Sequence, residues 1–281
     1  MSIISFCSEE EKETGQSLSL AAVASYMAIE HNYKTLIIST GFNDLSLENC
    51  FWEYDSIRDL GQVITPTKNT EIDNGIEGLI KVIASNRISN EIVKNYSKTV
   101  LRGDRLDVLL SPKTTGYDEY VEVARQYTKI IDIANRYYDL IFVDLSKKLP
   151  EDTKKEIKVK SDIVILNFAQ KSKSIKQIEM LREKNEIYKK EKTILLVGKY
   201  DSFSKYNTKN ITRYIKEKKE INAIPYNTLF FESCSEGNII DFLLKVRNVT
   251  DEFDRNVNFL KEISRIDNNI VYKLQELQMK I

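Results

Sequence analysis

Short, continuous apolar runs recur along the chain, at Ser2–Phe6, Thr35–Ser39, Leu106–Leu110, Leu140–Val143, Ile163–Asn167, Thr193–Val197 and Ile221–Ile224. Runs that are apolar at consecutive rather than alternate positions predict strands covered on both faces of a parallel sheet. Between them, apolar residues return at helical spacing over Gln16–Glu30, Ile76–Ala84, Tyr117–Tyr137, Ser174–Tyr188, Asn210–Lys218 and Asn238–Arg247. Strands alternating with helices predict an α/β fold with a doubly wound, mostly parallel sheet flanked by helices. Pro112, Pro150 and Pro225 each fall shortly after a predicted strand, and Pro66 lies in a polar stretch, Thr65 to Asn74. The last pattern, Asp254 to Ile281, places Phe259, Leu260, Ile263, Ile266, Ile270, Val271, Leu274 and Leu277 on one stripe of a long C-terminal helix. Residues 1–250 are expected to form the main domain. Residues 251–281 are expected to be a helical extension packed on that body or on a partner. Residues 41–105 are the least legible part of the pattern.

Charge and composition narrow the field. Forty-two basic residues balance forty-two acidic ones in the 281, so no overall field draws the chain to nucleic acid or anionic lipid. The lysine clusters Lys147-Lys148, Lys154-Lys155, Lys171 to Lys176 and Lys216 to Lys219 read most simply as solvated helix faces. Cys7, Cys50 and Cys234 have no metal-ligand spacing and fit buried thiols in a reducing compartment. The acidic Ser8 to Glu13 follows the first short apolar run, which is not how a secretory signal continues. No run reaches the length of a membrane span. A cytoplasmic protein is expected, with membrane association only indirect. His31, the one histidine, ends the first predicted helix, where the helix dipole favours it; His-based triads and His-ligated zinc are disfavoured.

Ligands of open α/β sheets gather outside the carboxyl ends of the strands, so the loops after Phe6, Ser39, Val143 and Val197 form one candidate site. The first loop is the most informative. A strand, a loop and a helix in succession present helix N-terminal N–H groups to a phosphate, and a working phosphate loop adds glycines and a lysine. Here Ser8 to Ser17 keeps one glycine, Gly15, has Gln16 next to it, and carries glutamates at 9 to 11 and 13. Gly15 and Ser17 could equally open an ordinary helix, with Ser17 or Thr14 as N-cap. The glutamates could then sit at that helix's positive end, in the place a phosphate would take.

Several segments together resemble the MinD/ParA group of deviant P-loop ATPases, over roughly residues 1–250, and within it the TadZ/CpaE pilus-localisation branch. That group's loop reads K-G-G-x-G-K-[ST]. Setting its last glycine on Gly15 puts the phosphate lysine at Gln16, the magnesium-ligating hydroxyl at Ser17 and the signature lysine at Glu11, beside Lys12. The acidic D-x-D expected after the second strand is replaced by Ser39-Thr40-Gly41. Tyr138 to Asp144 resembles the Walker B strand, Ser161 to Leu166 the next strand, and Leu196 to Asp201 the base-contacting segment with Gly198 for asparagine. Ala223 to Asn227 with Glu236-Gly237 is similar to the stretch that frames adenine, and Leu106 to Pro112 to a strand typical of TadZ/CpaE.

The resemblance implies a nucleotide site at Lys12, Thr14, Gly15, Gln16, Ser17, Leu18, Asp144, Lys199, Pro225 and Tyr226. Ser17 and Asp144 would ligate magnesium if a magnesium-nucleotide binds, and no catalytic residue is assigned. The scaffold segments survive while the phosphate lysine, signature lysine and water-positioning acids are replaced, which removes groups that stabilise transferring phosphoryl charge. The expected function is a pseudo-ATPase that requires no cofactor and acts in positioning, assembly or partner recruitment for a secretion, pilus or partition machine. Its expected partners are proteins, including a second copy of itself. The alternative is an atypical switch that binds ATP or ADP with magnesium, turns over slowly and dimerises with nucleotide; Lys12, Lys147 or Lys199 would then reach the phosphates. A partition protein binding DNA non-specifically is the third reading, and the charge balance argues against it.

Overall fold

The computed structural model describes residues 1–10, 14–53, 75–86, 88–188, 191–251 and 253–278. Lys12, Glu11, Glu13, the Thr65 to Asn74 stretch with Pro66, and the last residues of the C-terminal pattern lie outside them. The apolar runs become β1 (Ser2–Cys7), β2 (Thr35–Ser39), β4 (Leu106–Leu109), β5 (Leu140–Asp144), β6 (Ile163–Phe168), β7 (Thr193–Tyr200) and β8 (Asn222–Pro225). A further strand, β3 (Lys98–Leu101), precedes β4. One eight-stranded sheet results, in the order β3-β4-β2-β5-β1-β6-β7-β8. Every pairing is parallel except the β3–β4 edge. All residues of β1, β2, β5 and β6 are buried, as consecutive apolar positions require when both faces are covered.

Helices α1 (Gln16–Glu30), α9 (Thr228–Ser235), α10 (Ile239–Val246) and α11 (Arg255–Gln278) cover one face. The other face carries α2 (Ile76–Ala84), α3 (Ile92–Tyr96), α4 (Tyr117–Ala124), α5 (Tyr127–Ala134), α6 (Glu151–Lys160), α7 (Ser172–Lys184) and α8 (Thr208–Tyr214). The single helix expected over Tyr117–Tyr137 is therefore two. No proline or glycine marks the break at Arg125-Gln126. What separates the helices is the end of β2: the Tyr120 hydroxyl donates to the Thr40 carbonyl at 2.6 Å and the Tyr127 hydroxyl to the Ser39 carbonyl at 3.1 Å. Buried tyrosine hydroxyls and carbonyls both need partners, and tertiary packing overrides helical continuity.

The stripe on α11 docks on the body, against α1 and β8. Phe259, Ile263, Ile266 and Ile270 are fully buried, each stabilising the packed state by about 1.5–3 kcal/mol. His31, just past the end of α1, meets the Asp267 carboxylate of α11 at 2.9 Å, so it tethers the two helices in addition to any dipole effect. Burial pushes the Asp267 carboxyl up, and the His31 contact opposes the rise.

Candidate functional site

The carboxyl ends of β1, β2, β5 and β7 open onto one cavity of about 450 Å³. Its floor is the start of α1. Gly15 stands at the cap position at φ 64 with no side chain to offer, and the first turn of the helix holds no acidic residue. The expected cap by Ser17 or Thr14 is thus absent. The reason is that Gly15 takes the cap position, which puts Thr14 outside the helix and Ser17 within it, its hydroxyl donating to Asp144 Oδ2 at 2.6 Å. Gly15, Gln16, Ser17 and Leu18 line the cavity, so among the described residues the start of α1 meets it without a side-chain cap, the arrangement that attracts anions.

Asp144 ends β5 beside this turn and is buried, only 7% exposed. Its second oxygen accepts from Gln16 Nε2 at 2.6 Å, and the same amide reaches the carbonyls of Leu145 (3.0 Å) and Phe6 (3.2 Å). Gln16, in the position the resemblance gives to the phosphate lysine, is therefore a clasp between β1, α1 and β5. Asp144 thus ends β5 with each carboxylate oxygen held by a side chain of the first turn of α1. Burial pushes its carboxyl up to about 6, against the Ser17 and Gln16 hydrogen bonds. The Thr40 hydroxyl donates to the Asp144 carbonyl at 2.7 Å and accepts from Ser146 N at 2.9 Å, fixing the β2 end to the β5 end.

Glu9 and Glu10 do not sit at the positive end of α1. Glu9 accepts from Lys158 Nζ at 3.0 Å and from the Tyr188 hydroxyl. Burial acts to raise the Glu9 carboxyl, but the Lys158 charge and the Tyr188 bond outweigh it and hold it low. Glu10 accepts from Ala169 N (2.9 Å) and the Ser174 hydroxyl (2.7 Å), so it reaches the cavity only as part of its wall. Both carboxylates are drawn towards α6 and α7 by stronger partners than the α1 dipole offers.

Of the sequence-predicted residues, Thr14, Gly15, Gln16, Ser17, Leu18, Asp144 and Lys199 come together around the cavity. Pro225 and Tyr226 line an adjoining slot that shares Gly15, Leu18 and Lys199. Lys12 lies outside the described residues. Lys199 adopts φ 52, uncommon for a residue with a side chain, where β7 shifts register against β8. This irregularity lays its side chain over Gly15. Lys147 and Lys148 also line the cavity, where composition suggested solvated faces. The cations Lys147, Lys148 and Lys199 face the carboxylates Glu10, Asp44 and Asp144. Asp44 was not signalled by any motif. It sits in the loop after β2, its carboxylate accepting from Ser46 N at 3.0 Å and from the Ser46 hydroxyl at 2.5 Å.

Gly198 has a steric role. A Cβ there would collide with the Thr14 carbonyl oxygen, so only glycine lets β7 pass this close to the loop before α1. Gly198→Ala is expected to destabilise the fold by about 1–3 kcal/mol and to displace Thr14 and Gly15. Urea denaturation followed by circular dichroism measures the first effect; an unchanged midpoint would show that the loop yields freely.

The donor set fits a magnesium-nucleotide. Ser17 and Asp144 offer hard oxygens, the open start of α1 suits phosphate, and the cavity matches a small-molecule site in size. Among the described residues no group of His, Cys, Asp and Glu could itself hold a metal ion, so a magnesium ion here would rely on phosphate oxygens and water as well.

The fold matches those of ParA and MinD ATPases, which share the P-loop NTPase architecture. A ParA family ATPase from Chlorobium tepidum TLS aligns at 16% identity over 95% of this chain and 98% of its own, with a TM-score of 0.68. The septum site-determining protein MinD from Pyrococcus horikoshii OT3, complexed with Mg-ADP, aligns at 15% identity over 97% and 98%, with a TM-score of 0.59. The MinC:MinD cell division complex of Aquifex aeolicus aligns at 16% identity over 95% of each chain, with a TM-score of 0.58. No protein-family model and no curated protein sequence matches the chain. No helix among the described residues is long and apolar enough to cross a membrane.

Proposed function

We propose that this chain is a ParA/MinD-like positioning or partition-type factor that holds a magnesium-nucleotide at the start of α1, hydrolyses it slowly or not at all, and recruits protein partners. The observation that carries the reading is the start of α1, with Gly15 at its cap position, opening on the cavity beside the Ser17–Asp144 pair at 2.6 Å, with Gln16 where a phosphate lysine would be. When bound, magnesium would neutralise phosphate charge, with Ser17 and Asp144 as its protein ligands. Lys147, Lys148 and Lys199 supply positive charge around the cavity, and Pro225 with Tyr226 would flank the base. Without a lysine fixed on the transferring phosphate, stabilisation of the transition state falls by several kcal/mol, which makes fast turnover unattainable. The relatives bound to Mg-ADP and to MinC support nucleotide and partner roles by analogy of fold. The main domain of 1–250 and the 251–281 extension, in this proposal, act as one unit with α11 as a structural brace.

A second reading, a protein locked without nucleotide, is favoured by one feature: Gln16 already satisfies Asp144 with no ligand. Calorimetric titration with ATP and with ADP, each with magnesium, separates the two. Micromolar binding lost in Asp144→Ala, with phosphate release near background, is the expected result. No binding at millimolar nucleotide would overturn the first reading in favour of the second.

A further inference from the structure

A second cavity, larger than the first at about 580 Å³, opens at the opposite ends of the strands. It begins where β7 and β8 begin, at Thr193 and Asn222, whereas the candidate nucleotide cavity lies where they end. Thr193 and Lys199 are six residues apart along β7, roughly 20 Å at strand rise, so the two cavities are separate. The walls are α7, the turn after α8, and one face of α11 that carries Arg265, Asn269, Tyr272 and Lys273. Asn269 Nδ2 donates to Asn222 Oδ1 at 2.6 Å, which pins the α11 wall to β8.

The charge in this cavity is lopsided. Arg182, Lys218, Lys219, Arg265 and Lys273 line it against Glu217, Glu220 and Glu276, whereas the first cavity has three cations and three carboxylates. Glu217 pairs with Arg182, and Arg265 is shared at 3.8 Å between Glu220 and, outside the lining, Glu262 of its own helix, while Lys218 and Lys219 bring further positive charge to the turn. Lys219 lies over the Tyr272 ring at 4.9 Å. Burial pushes the Lys273 ammonium down; Glu276 and Glu191 oppose the shift, and the Lys219 and Arg182 charges add to it. Cations gathered in a concave, partly desolvated site repel one another and focus a positive potential there. A multivalent anion relieves both effects, and Arg and Lys are the side chains that recognise phosphate.

We propose that this cavity binds a small, soluble phosphorylated anion carrying at least two negative charges, which bridges the turn at Lys218-Lys219 and the Arg265–Lys273 face of α11. The site lies beyond the nucleotide reading and does not depend on it. Because the ligand would join α11 to the β7–β8 edge, occupancy would also brace the C-terminal helix.

Inorganic pyrophosphate without magnesium is the probe. The full chain and its Lys219→Glu, Arg265→Glu and Lys199→Glu variants are titrated by calorimetry at physiological ionic strength, where distant surface charges are screened. Lys219 and Arg265 are exposed, and circular dichroism confirms that each variant is folded. The expected result is a binding event that persists in Lys199→Glu and weakens about tenfold or more in Lys219→Glu and in Arg265→Glu. Absence of binding to the unaltered chain overturns the proposal. So does binding that vanishes in Lys199→Glu and is untouched by the other two, which would move the anion to the first cavity.

Discussion

Asp144→Asn is expected to make the ligand-free protein more stable at neutral pH while abolishing magnesium-nucleotide binding. The carboxylate is buried with two hydrogen-bond donors, Ser17 and Gln16, and among the described residues no cation pairs with it. Burial pushes it up to about 6 from the ordinary 3.8. Between these values the folded protein holds a proton that the unfolded chain has lost, so folding takes up a proton there. Stability from this group therefore falls as pH rises from about 4 to about 6 and stays lower above that. The shift corresponds to about 3 kcal/mol. An asparagine carries no charge to desolvate. Its carbonyl can accept from Gln16, and its amide can donate to Ser17, whose hydroxyl proton is free to rotate. The variant should gain about 1–3 kcal/mol at pH 7 and lose the slope between pH 4 and 6. Thermal unfolding across pH, with the wild-type curve subtracted, isolates this group from the other carboxyls. A variant less stable than wild type at pH 7 would show that the hydrogen bonds outweigh the buried charge. Opposite signs for stability and for binding are the mark of a site kept for function.

The sheet was legible because buried parallel strands advertise themselves as unbroken apolar runs; all seven predicted runs became strands. The eighth, β3, was not, because Lys98 and Thr99 on a half-exposed antiparallel edge break any such run. Helix α6 was missed for a related reason. Its sequence, Glu151–Lys160, is mostly charged, and only Thr153, Ile157 and Lys158 are buried. Lys158 is buried by pairing with Glu9, a contact between residues 149 positions apart that no local pattern encodes. Helix α9 is signalled at its start by Asn227, whose side chain accepts from Phe230 N at 2.8 Å; that capping signal could have been recognised.

The candidate site was legible in its skeleton and not in its contents. Gly15, Ser17 and Asp144 follow from motif order, and the structure brings them together. The roles of the glutamates did not follow, since Glu9 and Glu10 are claimed by Lys158, Tyr188, Ala169 and Ser174 from distant parts of the chain. Asp44 enters the cavity from a loop with no motif, and Lys148 from a cluster that resembles any solvated lysine pair. By the resemblance alone Gln16 is a loss. Its three acceptors give it a different task, tying the start of α1 to the paired ends of β1 and β5.

Gln16→Lys tests whether that single exchange decides the chemistry. A lysine there would point along the Gln16 side chain towards Asp144 and the carbonyls of Phe6 and Leu145, all acceptors suited to an ammonium group. Two effects are expected. The positive charge beside the buried Asp144 carboxylate should lower its pKa and remove the stability loss between pH 4 and 6. The ammonium should also move to a phosphate when nucleotide enters, adding a charge-assisted hydrogen bond and tightening binding about tenfold or more. Calorimetry with magnesium-ATP and unfolding across pH read the two effects separately. A folded Gln16→Lys protein that shows the flattened pH profile but no gain in affinity would mean that the lysine reaches Asp144 and cannot leave it. The limiting defect would then lie in the loop before Gly15, whose acidic composition replaces the glycines and lysine of a working phosphate loop. A gain in affinity with phosphate release still near background would place the remaining block at the end of β2, where Ser39-Thr40-Gly41 stands and the carboxylate that the following loop brings to the cavity, Asp44, is held by Ser46.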